Sequence, residues 1–124
     1  MKSQYEKKRL ITFDRIKIKS NYKYLLNTKV KFNEMFHSRS GEKIGIFYSS
    51  KDDINIPYNL YIAVSYIKQT LTLEFSSKIL KEKYPDLISR DTIKECLTNI
   101  NQLHICDIDV DSILSNGAIT SVDV

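Results

Sequence analysis

The clearest chemical pattern lies in one short run, Arg15-Ile16-Lys17-Ile18-Lys19, where cation and aliphatic residues alternate. A period of two sends successive side chains to opposite faces of a β-strand, so the three cations share one face and Ile16 and Ile18 the other. Tyr22 and Tyr24 flank Lys23, and Lys29 and Lys31 alternate with Val30 and Phe32. If that second segment pairs with the first, Lys29 and Lys31 join the same basic face. Cations track phosphates, and tyrosine rings stack on unpaired bases. Arg15, Lys17, Lys19, Lys23, Lys29 and Lys31, with Tyr22 and Tyr24, are therefore a candidate nucleic-acid-binding surface. The surface exists only if Ile16, Ile18, Val30 and Phe32 turn inward. The plainer alternative is a solvated sheet face on which lysines blunt an edge strand.

Other constellations fall short of a chemistry. Asp107-Ile108-Asp109-Val110-Asp111 starts like a calcium loop, but the positions that need Gly and Glu hold Ser112 and Ala118. Strand alternation running into a helix cap explains it better. Cys96 and Cys106 stand outside any CxxC spacing, and His37 is far in sequence from His104. No zinc site is expected from so few ligands, and the cysteines read as small buried apolar residues. Gly41 and Gly45 lack the Gly-Lys-Ser/Thr of a phosphate loop, and no Gly-x-Ser-x-Gly elbow occurs. Glu74 and Asp123 could face one another for acid–base work, but the sequence does not fix their separation. No catalytic residue, metal ligand or cofactor site is expected in this chain.

The elements that must position the basic face follow from composition and periodicity. With 124 residues, 42% hydrophobic and 27% charged, the chain has room for one domain with its own core. Residues 1–50 hold twelve Lys/Arg and four Asp/Glu, and residues 51–124 hold seven and eleven, for a net charge of +4. Such a split suits either an anionic partner for one face or two halves that complement each other inside one fold. No run approaches the roughly 18 apolar residues of a membrane span, and residues 1–20 lack the apolar stretch of a secretory signal. A cytoplasmic protein with no membrane partner is the expectation.

Residues 1–9 read as a flexible basic arm, and residues 10–124 as a single domain. Strands are expected from Leu10 to Lys19, from Lys29 to Met35 or Phe36, and from Ile44 to Tyr48, with a turn at Ser38–Glu42. Leu60–Val64 is apolar on both faces and reads as a central strand covered on both sides. After a turn near Lys68–Gln69, Leu71, Leu73 and Phe75 alternate with polar residues as a half-buried antiparallel partner. A short helix over Ile79–Tyr84 should stop before Pro85. Ser89 or Asp91 caps the next, whose apolar stripe is Ile93, Cys96, Leu97, Ile100 and Leu103. A further short helix starts at Asp109 or Asp111 and ends at Asn116-Gly117. Residues 118–124 alternate as a last strand, which suggests a fragment of something longer. The fold class is α+β: a mostly antiparallel sheet of five to six strands, with two or three helices packed on one face.

Three segments in this order carry a family resemblance: Phe13-Asp14-Arg15-Ile16-Lys17-Ile18-Lys19, the hairpin ending Leu73-Glu74-Phe75-Ser76-Ser77-Lys78-Ile79-Leu80, and the helix that leads to Ile119-Thr120-Ser121-Val122-Asp123-Val124. Together they resemble the amino-terminal region of phage and plasmid replication initiators of the gene II/gene X class. The resemblance implies a rolling-circle initiator that nicks one DNA strand with a metal ion and a tyrosine nucleophile. Only Asp123 matches the family's pattern, and the chain has neither a His-x-His pair nor a tyrosine in a nucleophile motif. The nicking elements would lie beyond Val124. The expectation is a non-catalytic amino-terminal domain that binds DNA through its basic sheet face. The alternative is a protein-interaction or scaffold module of a mobile element, engaging a protein or further copies of the chain.

Overall fold

The computed structural model describes residues 12–52 and 59–123. The expected arm at 1–9, residues 10 and 11, and Val124 lie outside that range. The fold is α+β. Six antiparallel strands form one sheet in the order β3-β4-β5-β6-β1-β8, and β2 and β7 form a separate two-stranded ribbon. The strands are β1 (Arg15–Asn21), β2 (Leu25–Thr28), β3 (Asn33–Phe36), β4 (Lys43–Ser49), β5 (Tyr61–Ser65), β6 (Thr70–Ser76), β7 (Cys106–Ile108) and β8 (Ala118–Asp123). Two α-helices lie between β6 and β8 in sequence, α1 (Ile93–Gln102) before β7 and α2 (Val110–Asn116) after it.

One face of the sheet is the core. The register aligns Ile62 with Leu73 and Leu73 with Ile18, and Phe75 with Ile16. All five side chains are buried, in one cluster with Cys96, Leu97 and Ile100 of α1 and Ile113 of α2. Period-two alternation in β1, β5 and β6 thus meets the period-3.6 stripe of α1, the pairing that a layer of helices on a sheet requires. At the sheet's far side Phe32 packs on Tyr48, ring centroids 5.8 Å apart.

Turn and cap chemistry fixes the connections. Between β3 and β4, His37 Nδ1 accepts from the backbone N–H groups of Arg39 (3.2 Å) and Ser40 (3.3 Å), and Gly41 takes a positive φ of 74°. Gly45 lies where β4 crosses β5 so closely that a Cβ would strike the Val64 carbonyl oxygen. Asp109 caps α2 as expected, accepting from Ser112 N–H (3.2 Å) and Ser112 Oγ (2.8 Å), and Gly117 follows its end.

Two helical expectations shift. Residues Ser77–Asp86 form 3-10 turns broken at Lys81 (φ 59°, ψ −122°), with Pro85 inside the segment. The left-handed Lys81 lets the chain change direction while Ile79 and Leu80, adjacent in sequence, are both buried. Helix α1 is entered through Thr92, which does not cap it. Its hydroxyl instead accepts from Ser89 N–H (2.8 Å) and donates to the Leu87 carbonyl (2.9 Å). Ser89 Oγ accepts from Asp91 N–H (3.1 Å) and the Ser89 carbonyl from Ile93 N–H (2.9 Å), so Ser89 caps the turn that leads into α1, while the residue at the helix's own N-cap position is Thr92.

Candidate nucleic-acid interface

Strand β1 places Arg15, Lys17 and Lys19 on the sheet face away from the core, as their alternation with Ile16 and Ile18 dictates. Among the described residues no helix packs on that face, and apart from buried Ser76 its side chains are half-buried or exposed rather than covered. Leu60–Val64 is therefore not covered on both sides. Leu60, Ile62 and Val64 are buried, while Tyr61 and Ala63 stay half-buried on the open face. Their apolar character had masked the alternation.

The three β1 cations differ in what they can offer a ligand. Arg15 lies diagonally across from Glu74 and binds its Oε2 through Nη2 (3.0 Å) and Nε (3.1 Å). Glu74 stands directly opposite Lys17 in register, yet its carboxylate is taken by the guanidinium. Lys17, half-buried, and Lys19, exposed, make no ion pair among the described residues. Strand β1 also separates Glu74 from Asp123, which pairs in register with Arg15. The two backbones are thus two strand spacings apart, roughly 10 Å. What Glu74 contacts is Arg15, not a second carboxylate.

Past Asn21 the strip continues into a 3-10 turn, Tyr22–Tyr24, capped by Asn21 Oδ1 accepting from Lys23 N–H at 3.0 Å. Tyr22 N–H donates to the Gln69 carbonyl (3.1 Å), which holds this turn against the β5–β6 hairpin. There Tyr66, Ile67 (69% exposed) and Lys68 project into solvent beside exposed Tyr22 and Lys23. Tyr24 points elsewhere: it packs against the core, and its hydroxyl accepts from Asn116 Nδ2 at 3.2 Å.

Lys29 and Lys31 do not join the face. The segment they occupy is a bend and a link, and the strand that follows begins only at Asn33. That strand, β3, is the opposite sheet edge, with β4, β5 and β6 between it and β1. Lys29 is drawn to the β2–β7 ribbon instead. Its N–H donates to the Ile105 carbonyl (2.8 Å), and its Nζ meets Asp107 Oδ1 at 3.3 Å. The Asp107 carboxyl, which also accepts from Asn27 Nδ2 (2.9 Å), is held below its ordinary pKa first by that hydrogen bond and then by Lys29. Phe32 turns inward as expected, but Val30 does not and is 41% exposed. Four of the eight expected residues, Lys17, Lys19, Tyr22 and Lys23, thus form a continuous strip. Arg15 lies on it but is neutralised.

Sequence reasoning did not single out Phe47 and Tyr61, which the register brings onto the same open face. Lys17 aligns with Glu74 and Glu74 with Tyr61; Lys19 aligns with Thr72, Thr72 with Ala63, and Ala63 with Phe47. The two rings lie 6.1 Å apart at a tilt of 32°. Their sequence signal was the odd-position alternation in Ile46-Phe47-Tyr48 and Leu60-Tyr61-Ile62, concealed because both sets are apolar.

The remaining chemistry-bearing residues are structural. Cys96 and Cys106 are buried free thiols, each pushed up to about 12, chiefly by burial. Among the described residues no three His, Cys, Asp or Glu side chains gather as metal ligands would. No helix among the described residues is long and apolar enough to cross a membrane. No known protein family, curated protein or solved structure matches the chain.

Proposed function

We propose that the chain is a non-catalytic DNA-binding domain that holds a phosphate backbone along β1. Lys17 and Lys19 make the central contacts, with Lys23 at the strand's end. The observation that carries this reading is that both lysines stand on the open face without an ion-pair partner among the described residues, while Arg15 and Lys29 are neutralised by Glu74 and Asp107. Unpaired cations in a row suit a repeating anion. The setting implied by the resemblance, the amino-terminal region of a phage or plasmid replication initiator, belongs to the same proposal and rests on the sequence segments alone. In that setting this domain would hold DNA in the cytoplasm while nicking is done elsewhere.

The direct test is fluorescence anisotropy with labelled DNA at low salt, comparing the protein with its Lys17→Glu/Lys19→Glu variant. Loss of most of the affinity is expected; affinity left unchanged removes the reading. A protein-interaction module is the second reading, favoured by the two outer strands of the sheet. Phe36 on β3 is 55% exposed and Ile119 on β8 54%, and unpaired strand edges invite further strands. Sedimentation that shows a strict monomer with no captured partner would remove it.

A further inference from the structure

The geometry points to Phe47 and Tyr61 as a base-stacking platform that makes the open face selective for single-stranded over duplex nucleic acid. This rests on the reading of β1 as the phosphate-binding strip and adds the part of the ligand that the strip cannot see. Both rings are half-buried and lie against each other, so they are positioned without the ligand. They lie 6.1 Å apart on adjacent strands, close enough to act as one apolar surface. Tyr61 is two strands from Lys17 and Phe47 three strands from Lys19 along the register, roughly 10 and 15 Å. A nucleotide whose phosphate rests at β1 and whose base is turned inward over β6 therefore points toward the rings.

Duplex DNA cannot use this surface. Its bases are stacked on each other and present only their edges in the grooves. Six strands roughly 4.8 Å apart make a face about 24 Å wide, twice the major groove's width of about 12 Å, so the sheet lies across a duplex rather than in it. A flexible single strand offers both its phosphates and its base faces, and every base has a face to stack. The lysines on the same face, which have no ion-pair partner among the described residues, make a neutral peptide the poorer occupant of the surface.

The test titrates a short labelled oligothymidylate and a duplex of equal length into the protein and into Phe47→Leu, Tyr61→Leu and Tyr61→Phe variants. Tighter binding of the single strand is expected. Each Leu variant should lose roughly tenfold or more of that affinity, with duplex affinity unchanged and Tyr61→Phe near the starting value. Equal affinity for both ligands, lowered by Lys17→Glu/Lys19→Glu but not by the Leu variants, overturns the platform and leaves the phosphate contacts standing. Insensitivity to the lysine substitutions removes the phosphate contacts as well. If the Leu variants fail to fold, ring-proton shifts of Phe47 and Tyr61 in the unaltered protein decide. Movement on addition of oligothymidylate supports the platform, and still rings overturn it.

Discussion

Ser20 sits on β1 with its hydroxyl oxygen buried and without a hydrogen-bond partner. A buried hydroxyl left unpaired loses its water without recompense, so its removal should not harm the fold. Ser20→Ala should leave stability unchanged or raise it by up to about 1 kcal/mol, read as a higher midpoint in urea unfolding. The two cysteines make an opposite case, apolar burial that suits the neutral thiol. Both are raised from 9.0 to about 12, so they stay protonated in the folded chain when the unfolded chain begins to lose its protons. Their contribution to stability is fully present below about 9 and falls as pH rises toward 12. In native buffer a thiol reagent should find neither cysteine, and on unfolding it should find both. Rapid native labelling would contradict the burial. Legibility at this scale was uneven. The burial of Ile16, Ile18 and the cysteines was readable from type and spacing. The pairing of Arg15 with Glu74 was not, because it depends on which strands become neighbours.

Strands and helices were legible where one period ran long enough. The alternation of β6 and the Cys96-Leu97-Ile100 stripe of α1 each commit a whole face, and the structure buries those faces together. Elements defined by a partner were not legible. Strand β7 is three residues long and exists because β2 pairs with it, and a bulge in the β1–β8 pairing puts Ile119 and Val122 opposite Ile18 and Ile16. Strict alternation had set Ile119 and Val122 on opposite faces. Close packing between strands makes its own prediction. A methyl group at Gly45 would meet the Val64 carbonyl oxygen, a backbone atom that cannot move without opening the β4–β5 pairing, and the Met35 methyl beyond it. Gly45→Ala should therefore destabilise the protein by about 1–3 kcal/mol, measured by denaturant unfolding. A neutral outcome would mean that the two strands do not approach so closely.

Across the whole molecule, the unequal charge of the two halves is partly resolved inside the fold. Arg15 and Lys29 from the basic half meet Glu74 and Asp107 from the acidic half, so internal complementarity takes two of the candidate cations and the proposed anionic ligand is left to others. Pairing removes Arg15 and Lys29, and position removes Lys31 and Tyr24, which is why the candidate site contracts from eight residues to a strip around Lys17 and Lys19. Counterion release measures that strip most directly. Each phosphate neutralised on a single strand contributes about 0.7 to the slope of log affinity against log salt. The measurement is that slope for oligothymidylate with the protein and with its Lys17→Gln/Lys19→Gln variant. The account predicts that the variant's slope is shallower by about 1.4, two contacts' worth. An identical slope for the two proteins would contradict it.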